Sequence, residues 1–381
     1  MNPESLKVLM ISSDRNIALK GSAVSSRMKE YASLVDELHI ILLSDSSHGL
    51  KETEIDKNIW VYPTNSLFKF LRPLDAIRIG KKLVINKNFV RGLSVITAQD
   101  PFECGWSAIK IKEKWRIPVE IQLHTNPFSP FFSGYLNKIR KFIAKKTIQH
   151  ADRIRVVSDE LKEELSKFTR APISVLPIYI DVNRIKTSQV NYDSHSTYGW
   201  AHVLLSVSRL SPEKNIETIV ESLKIIKKHY PDTGLLIVGD GPEKEFLIRK
   251  VNKLGLQGYV EFVGWQEDLA SFYKTADVFV QTSLFEGYGM AILEAGLSGL
   301  PIVTTPVGVA KSLADEDAVI TIPFGRADIL ASSVINIFEH SYIKERLGLN
   351  FRKTIQSILC TKEEYLNKLK ENWIITSKTI F

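Results

Sequence analysis

The segment "DVFVQTSLFEGYGMAILEAGLSGLPIVTTP", residues 277–306, determines the fold we expect. Its first part, "DVFVQTS", and its last, "PIVTTP", predict strands, and "GMAILEAGLSG" between them predicts a helix that ends at Gly299. A strand, a helix and a second strand in this order build a parallel sheet. Ligands of such sheets bind beyond the carboxyl ends of the strands. The turn "LFEGY" between the first strand and the helix is therefore a candidate binding site.

The same alternation of short β-branched runs and amphipathic stretches fills the whole chain. The polar stretch of residues 187–201 interrupts it once and is the best domain boundary. We predict an α/β protein of two doubly wound, Rossmann-like domains, residues 1–184 and residues 199–360, facing across a central cleft. A helix at about residues 361–381 is a candidate to pack back on the first domain.

Composition agrees with two globular domains. The 381 residues are 44% hydrophobic and 24% charged, which excludes a disordered or fibrous protein. Cys104 and Cys360 are the only cysteines, so a disulfide framework is excluded. No apolar stretch approaches the length of a membrane span, and we predict a cytoplasmic protein. Residues 1–184 carry 29 Lys and Arg against 20 Asp and Glu, which suggests either an anionic partner or a solvated basic face.

Two glutamates flank the start of the predicted helix. Its first backbone amides have no partner within the helix and, with the helix dipole, favour phosphate. Glu286 precedes these amides, and Glu294 lies about one and a half turns into the helix. Since carboxylates accept hydrogen bonds from hydroxyl groups, the pair predicts a diphosphate flanked by polyols, as in a nucleotide sugar. The residues between the two glutamates that we expect at this ligand are Gly287, Tyr288, Gly289, Met290 and Ala291.

Further candidates follow other strands of the second domain. Arg209 and Lys214 would supply positive charge for the diphosphate. Gly239, Gly241 and Trp265 follow two more strands and complete the predicted site. The alternative is that Glu286 only caps a helix and that Arg209 and Lys214 form surface ion pairs.

The segment "FEGYGMAILEA" resembles the E-x(7)-E motif of retaining glycosyltransferases with the GT-B fold, specifically glycosyltransferase family four. Segments including "VSRLSPEKNIETIVESL" and "LLIVGDGPEKEFL" resemble the donor-binding domain of that family over about residues 202–323. The first half is similar through shorter segments, including "KGSAVSSRMKEYA", "QLHTNPF" and "RIRVVSDELKEEL". The resemblance implies that the first domain binds the acceptor.

The resemblance implies a role for each residue of the second domain. Arg209 and Lys214 would bind the diphosphate, Glu294 the ribose hydroxyls and Glu286 the transferred sugar. In this chain Val309 follows Gly308 where the family usually has a second glycine.

Two residues of the first domain receive roles in the same way. His124 would contact the sugar hydroxyls near the reacting carbon, and Gly21 would let a loop close over the phosphates. The alternatives are a packed histidine that caps its strand end and an ordinary turn. A single Gly21 also stands where the family often has a glycine pair.

The implied reaction is transfer of a hexose-type sugar from a nucleoside diphosphate sugar to a hydroxyl, with retention, in polysaccharide, lipopolysaccharide or glycolipid biosynthesis. No cofactor is expected besides this co-substrate. The D-x-D pattern of Asp315 to Asp317 precedes a late strand, away from the predicted phosphate site, so we expect no metal site there. A catalytically silent scaffold or partner subunit and a nucleotide-sugar epimerase are the alternative functions.

The expected partners are a UDP- or GDP-linked sugar and a glycan or lipid-linked acceptor. Residues 65–82 and 135–146 interleave apolar side chains with Lys and Arg, as a helix on an anionic membrane surface does. We therefore consider a peripheral contact of the first domain with the inner face of the cell membrane. Core-facing helices with a solvated basic face are the alternative, and no motif supports nucleic-acid binding.

Overall fold

The computed structural model describes residues 5–130 and 135–379, and the chain divides into two compact units. Unit 1 is Met1–Ile178 with Thr361–Phe381, and unit 2 is Tyr179–Cys360. The strands are β1 Lys7–Ser12, β2 Glu37–Leu42, β3 Thr53–Asp56, β4 Ile59–Pro63, β5 Ser94–Ala98, β6 Val119–Leu123, β7 Arg153–Val156, β8 Ile173–Val175, β9 His202–Val207, β10 Thr233–Val238, β11 Val260–Gly264, β12 Val278–Gln281, β13 Ile302–Thr304 and β14 Ile320–Thr321.

Helices connect most of these strands and cover the two sheets. They are α1 Ala23–Ala32, α2 Arg72–Asn86, α3 Glu103–Trp115, α4 Tyr135–His150, α5 Asp159–Ser166, α6 Val182–Thr187, α7 Ser194–Tyr198, α8 Ile216–Ile226, α9 Lys244–Leu254, α10 Ala270–Thr275, α11 Met290–Leu297, α12 Ala310–Asp315, α13 Ala327–Glu339, α14 Ser341–Ile358 and α15 Lys362–Ser377. Among the described helices, none has the length and apolar character needed to cross a bilayer.

Unit 1 contains an eight-stranded sheet in the order β3-β4-β2-β1-β5-β6-β7-β8. Every pairing is parallel except that of β3 with β4. The central strands are almost fully buried, as expected for strands covered on both faces. The sequence predicts seven of these strands, through the apolar runs "LKVLMIS", "LHIILLS", "IWVYPT", "LSVITAQ", "PVEIQLHT", "RIRVVS" and "ISVLPIYI". No such run predicts β3, because its side chains are mostly polar and exposed at the sheet edge.

The last helix, α15, belongs to unit 1 and packs against β5 and β6. The Tyr365 hydroxyl lies 2.8 Å from the Tyr31 hydroxyl of α1, and the Trp373 ring meets the Tyr31 ring edge-on. The helix starts with a capping box of Thr361 and Glu364, which satisfies two backbone amides at its N-terminus. Buried aromatic contacts therefore hold the end of the chain on the sheet of unit 1.

Unit 2 contains a six-stranded, all-parallel sheet in the order β11-β10-β9-β12-β13-β14. All six strands were predicted. The two largely parallel sheets with their helices confirm the predicted fold class, two Rossmann-like α/β domains.

The polar stretch of residues 187–201 is part of unit 2, so the two units divide earlier in the chain, after Ile178. Three contacts with α10 explain this. The Asn191 amide donates to Ser271 Oγ at 3.0 Å, the hydroxyls of Ser194 and Thr275 lie 2.9 Å apart, and the ring of Tyr192 packs on that of Phe272.

Candidate functional site

The predicted site residues of unit 2 follow four neighbouring strands. Because β11, β10, β9 and β12 are adjacent and parallel, their carboxyl ends lie at one edge of the sheet. Trp265 follows β11, Gly239 follows β10, Arg209 follows β9 and Glu286 follows β12. Residues that are far apart in the sequence therefore lie at the same edge of the sheet.

The loop after β9 is hydrogen-bonded to the loop after β12. The Leu284 amide donates to the Glu213 carbonyl at 2.8 Å, and the Thr282 hydroxyl donates to the Asn215 carbonyl at 2.8 Å. Lys214 lies between the two accepting residues, in a short 3-10 turn. These contacts bring Lys214 to the turn that carries Glu286.

Glu286 is held by three side chains at one carboxylate oxygen. Its Oε1 accepts hydrogen bonds from Lys214 Nζ at 2.7 Å, Gln281 Nε2 at 2.9 Å and Ser283 Oγ at 2.7 Å. The side chains of Lys214 and Glu286 are only 18% and 12% exposed, so the ion pair is well ordered and poorly screened. All three bonds go to Oε1, which fixes the orientation in which Glu286 presents Oε2.

Gln281 and Ser283 were not predicted as site residues. Both are buried at the end of β12 and its loop, in the segment "VFVQTS". Polar residues that follow an apolar strand are the signal that could have identified them, because buried polar groups need hydrogen-bond partners.

Arg209 is oriented by Glu213 of the same loop. Its NH2 group donates to Glu213 Oε1 at 3.0 Å, and the Arg209 side chain is 69% exposed. An exposed ion pair of this kind contributes little stability. The guanidinium therefore remains accessible to an anionic ligand at the sheet edge.

The helix α11 begins directly after the glutamate turn. Gly289 precedes the helix with φ +99°, a left-handed conformation that favours glycine. The first helical hydrogen bond runs from the Ile292 amide to the Gly289 carbonyl. The amides of Met290 and Ala291 come before this bond, as the predicted phosphate site requires.

The loop after β13 supports the same turn. The Val309 amide donates to the Tyr288 carbonyl at 2.8 Å. A Cβ atom on Gly308 would lie 2.6 Å from the Tyr288 carbonyl oxygen and 3.1 Å from Glu286 Cβ. Val309, which replaces the family's second glycine, places its Cγ1 within 3.3 Å of a Cβ built on Gly289. This departure from the family pattern thus packs against the start of α11.

We expect Gly308→Ala to lower the stability of unit 2 by about 2 kcal/mol or more, because the new Cβ combines a left-handed backbone with a close contact. Gly325→Ala is the matched control, since Gly325 also has a positive φ, +69°, but no atom within 4 Å of its Cβ position. Scanning calorimetry should show the larger fall in melting temperature for Gly308→Ala. Equal shifts would mean that Gly308 does not support the turn.

Glu294 occupies a different environment from Glu286. Its Oε2 accepts a hydrogen bond from the hydroxyl of the buried Tyr273 at 3.0 Å. Burial raises the pKa of Glu294, while the hydrogen bond from Tyr273 and the charge of Arg184 oppose this effect. Tyr273 lies in α10, 21 residues before Glu294, and no sequence pattern linked the two.

Tyr288, Gly239 and Gly241 are packed closely against neighbouring protein atoms. Tyr288 is buried, and burial, together with Cys360, raises the pKa of its hydroxyl to about 12. A Cβ on Gly239 would lie 2.0 Å from the Ser208 carbonyl oxygen. These residues shape the turn and the loop contacts, whereas Trp265 is 70% exposed and open to a ligand.

The two predicted site residues of unit 1 follow β1 and β6, which are separated in the sheet by β5. His124 follows β6, and Gly21 lies in the loop between β1 and α1 with φ +85°. Partial desolvation of the His124 ring by neighbouring protein atoms, with smaller contributions from the positive charges of Arg155 and Arg27, lowers its pKa to about 4. The imidazole is therefore neutral at pH 7.

The D-x-D pattern lies at the end of α12. Asp317 Oδ2 lies 3.1 Å from Nε of Arg346, which makes it part of a surface ion pair. Among residues 5–130 and 135–379, no group of three or more His, Cys, Asp and Glu side chains is arranged to hold a metal ion.

Comparison with known proteins gives two family matches that together span most of the chain. Residues 28–184 match glycosyltransferase family 4, and residues 193–354 match glycosyl transferases group 1. The first match covers most of the sheet of unit 1, from β2 onward, and the second covers the sheet of unit 2. Both halves of the chain therefore match models of glycosyltransferases.

Similar proteins include two curated enzymes and a solved structure. The α-monoglucosyldiacylglycerol synthase of Acholeplasma laidlawii is 27% identical over 312 residues, which cover 76% of this chain and 77% of that enzyme. The lipopolysaccharide core biosynthesis glycosyltransferase LpsE of Rhizobium meliloti is 30% identical over 156 residues, which cover 41% of this chain and 45% of LpsE. Anabaena Alr3699/HepE in complex with UDP-glucose superposes with a TM-score of 0.74 at 19% identity, covering 96% of this chain and 98% of that protein.

Proposed function

We propose that the chain transfers a hexose-type sugar from a nucleoside diphosphate sugar to a hydroxyl group, with retention at the anomeric carbon and without a metal ion. The observation that carries this proposal is the partly buried Lys214–Glu286 pair in the loops just before α11. It combines a cation for phosphate with a carboxylate for sugar hydroxyls at the carboxyl edge of one sheet.

The positive groups stabilise the leaving group. As the bond to the sugar breaks, negative charge grows on the diphosphate. Arg209, Lys214 and the amides of Met290 and Ala291 are fixed at the sheet edge before the reaction, so they stabilise the transition state more than the ground state. Their charge takes the place of a divalent cation.

The two glutamates hold different parts of the sugar donor. Glu286, oriented through Oε1, offers Oε2 to hydroxyls of the transferred sugar, and Glu294 accepts from the ribose hydroxyls. In unit 1, His124 is proposed to contact the sugar hydroxyls, and the Gly21 loop to close over the phosphates. A neutral His124 suits this role because one ring nitrogen can donate and the other accept.

The first sugar donor to test is UDP-glucose, which is bound by the Anabaena protein of the same fold. The names of the similar enzymes support an acceptor in glycolipid or lipopolysaccharide biosynthesis, a glycan or a lipid-linked hydroxyl. We place the enzyme at the inner face of the cell membrane, with a peripheral contact through unit 1.

The product of the reaction tests this function. With UDP- or GDP-sugars and a diacylglycerol or glycan acceptor, NMR should show the anomeric configuration of the donor in the product, and EDTA should leave the rate unchanged. Inverted product, or loss of activity with EDTA and recovery with Mn²⁺, would contradict the proposal. If the protein converts a nucleotide sugar into its epimer when no acceptor is present, the epimerase function is indicated. If no sugar donor is turned over, the silent scaffold is indicated.

A further inference from the structure

A basic pocket of about 460 Å³ lies in unit 1 at the carboxyl ends of β1 and β2, and none of its lining residues has a role in the proposed donor site. This is the edge of the sheet at which α/β proteins bind ligands. The residues that line the basic pocket are Ser13, Arg15, Leu43, Asp45, His48, Lys69 and Arg72.

The charges of the basic pocket favour an anion. Asp45 is the one carboxylate among its lining residues, and Arg72 already binds it through two hydrogen bonds, one of 2.8 Å from Nε to Oδ1. The hydrogen bond from Arg72, with the nearby charges of His48 and Lys69, holds the pKa of Asp45 below its usual range. Arg15 and Lys69 therefore add positive charge that no carboxylate of the pocket lining neutralises.

Arg15 and His48, two basic side chains of the pocket, contact each other. An Arg15 guanidinium nitrogen donates to Nε2 of His48. A phosphate beside them would accept charge-assisted hydrogen bonds from the Arg15 guanidinium. The pocket thus fits an oxyanion with several acceptor oxygens.

Apolar side chains project into solvent next to Lys69. Leu67, Phe68 and Phe70 are 74%, 59% and 74% exposed, and the two phenyl rings stack with centroids 5.5 Å apart. Three large exposed apolar side chains within four residues, around one lysine, are unusual for a solvated surface. Such a segment suits the headgroup boundary of a membrane, where apolar side chains enter and lysines remain at the phosphates.

The helix α4 also carries exposed apolar residues beside lysines. Leu136, Ile139 and Phe142 of α4 are exposed, and the same helix carries Lys138 and Lys145. Both α2 and α4 pack against α3, and each follows the carboxyl end of a strand, β4 and β6 respectively. The inner face of α2 is buried, while Leu74 and Ile85 of the same helix are exposed, so exposed apolar side chains occur in the segment before α2, on α2 and on α4.

We propose that the basic pocket binds the phosphate group of an anionic phospholipid while Leu67, Phe68 and Phe70 enter the headgroup region of the membrane. The inference rests on the proposed membrane contact of unit 1 and names the group that is recognised. A soluble phosphate would use the same basic side chains, but it would not need the apolar segment beside them.

Vesicle binding by the full chain, without any sugar donor, tests the inference. Phosphatidylcholine vesicles containing phosphatidylglycerol are compared with vesicles brought to the same surface charge by a fatty acid. We expect tighter binding to phosphatidylglycerol, and we expect Lys69→Ala and Arg15→Gln each to weaken it about fivefold, the scale for one basic residue at an anionic surface. Phe70→Ser should weaken binding to both kinds of vesicle by about tenfold.

Matched variants separate the basic pocket from general charge attraction. Lys353→Ala, at an exposed lysine of α14 in unit 2, removes the same charge elsewhere and should leave binding unchanged. Lys69→Arg should restore the preference for phosphatidylglycerol. Circular dichroism and thermal unfolding must match the wild type for all variants.

Three results would overturn the inference. They are equal losses with Lys353→Ala and Lys69→Ala, equal binding to both kinds of vesicle, and binding of glycerol 3-phosphate that depends on Lys69 while vesicles do not bind. The last result would assign the pocket to a soluble phosphate compound. Because sugar transfer to a soluble acceptor is measured separately, each of these results can occur while the proposed function stands.

Discussion

Lys214→Ala is expected to lower turnover by about two orders of magnitude, the scale for removing one group that stabilises developing charge. Lys214 follows β9 at the carboxyl edge of the sheet of unit 2 and is held 2.7 Å from Glu286 in a poorly screened pair. Its loss removes a cation from the leaving group and one of three hydrogen bonds that orient Glu286. Arg209→Ala should have a similar effect on turnover through charge alone.

Steady-state kinetics with the complete sugar donor measures this effect. Lys353→Ala is the control for loss of a surface charge, and Lys214→Arg keeps the charge with a different geometry. The fold should survive, because Gln281 and Ser283 still bind Glu286 in the variant. Full activity of both Lys214→Ala and Arg209→Ala would show that these cations do not bind the diphosphate.

The sequence predicted the sheets of both units because buried parallel strands are continuous apolar runs, whatever they pair with. It did not predict β3, whose residues Thr53–Asp56 are mostly exposed and polar. The division between the units after Ile178 also has no signal in the sequence, since the contacts that attach Asn191 and Ser194 to α10 join residues about 80 positions apart. Periodicity carries no information about such distant pairs.

For the candidate site, the sequence predicts which residues follow strand ends but not which side chains they contact. Strand ends placed Arg209, Lys214 and Glu286 at one sheet edge, as the structure has them. The ion pair of Lys214 with Glu286 spans 72 positions, and the bond from Tyr273 to Glu294 depends on how α10 packs. These partners follow from tertiary structure and could not be derived from spacing.

The second large effect is expected for Glu286→Ala, which should lose turnover with the complete sugar donor by about two orders of magnitude or more. Without the carboxylate, the sugar hydroxyls are no longer held and the anomeric carbon is not oriented. Affinity for the nucleoside diphosphate alone should not weaken, because Lys214 is then free to bind phosphate. Glu286→Gln keeps the size of the side chain and separates loss of charge from loss of packing.

The most direct test of the central claim, that the two glutamates hold different parts of one nucleotide sugar, is calorimetry with the nucleoside diphosphate alone. Glu294→Ala should weaken its binding by roughly 1.5 to 3 kcal/mol, the scale for hydrogen bonds to a charged group. Tyr273→Phe, which removes only the hydroxyl bound to Glu294, should have a smaller effect. Glu286→Ala should bind the diphosphate at least as well as the wild type. Equal weakening by Glu286→Ala and Glu294→Ala would contradict the account, because the two carboxylates would then act as one structural unit.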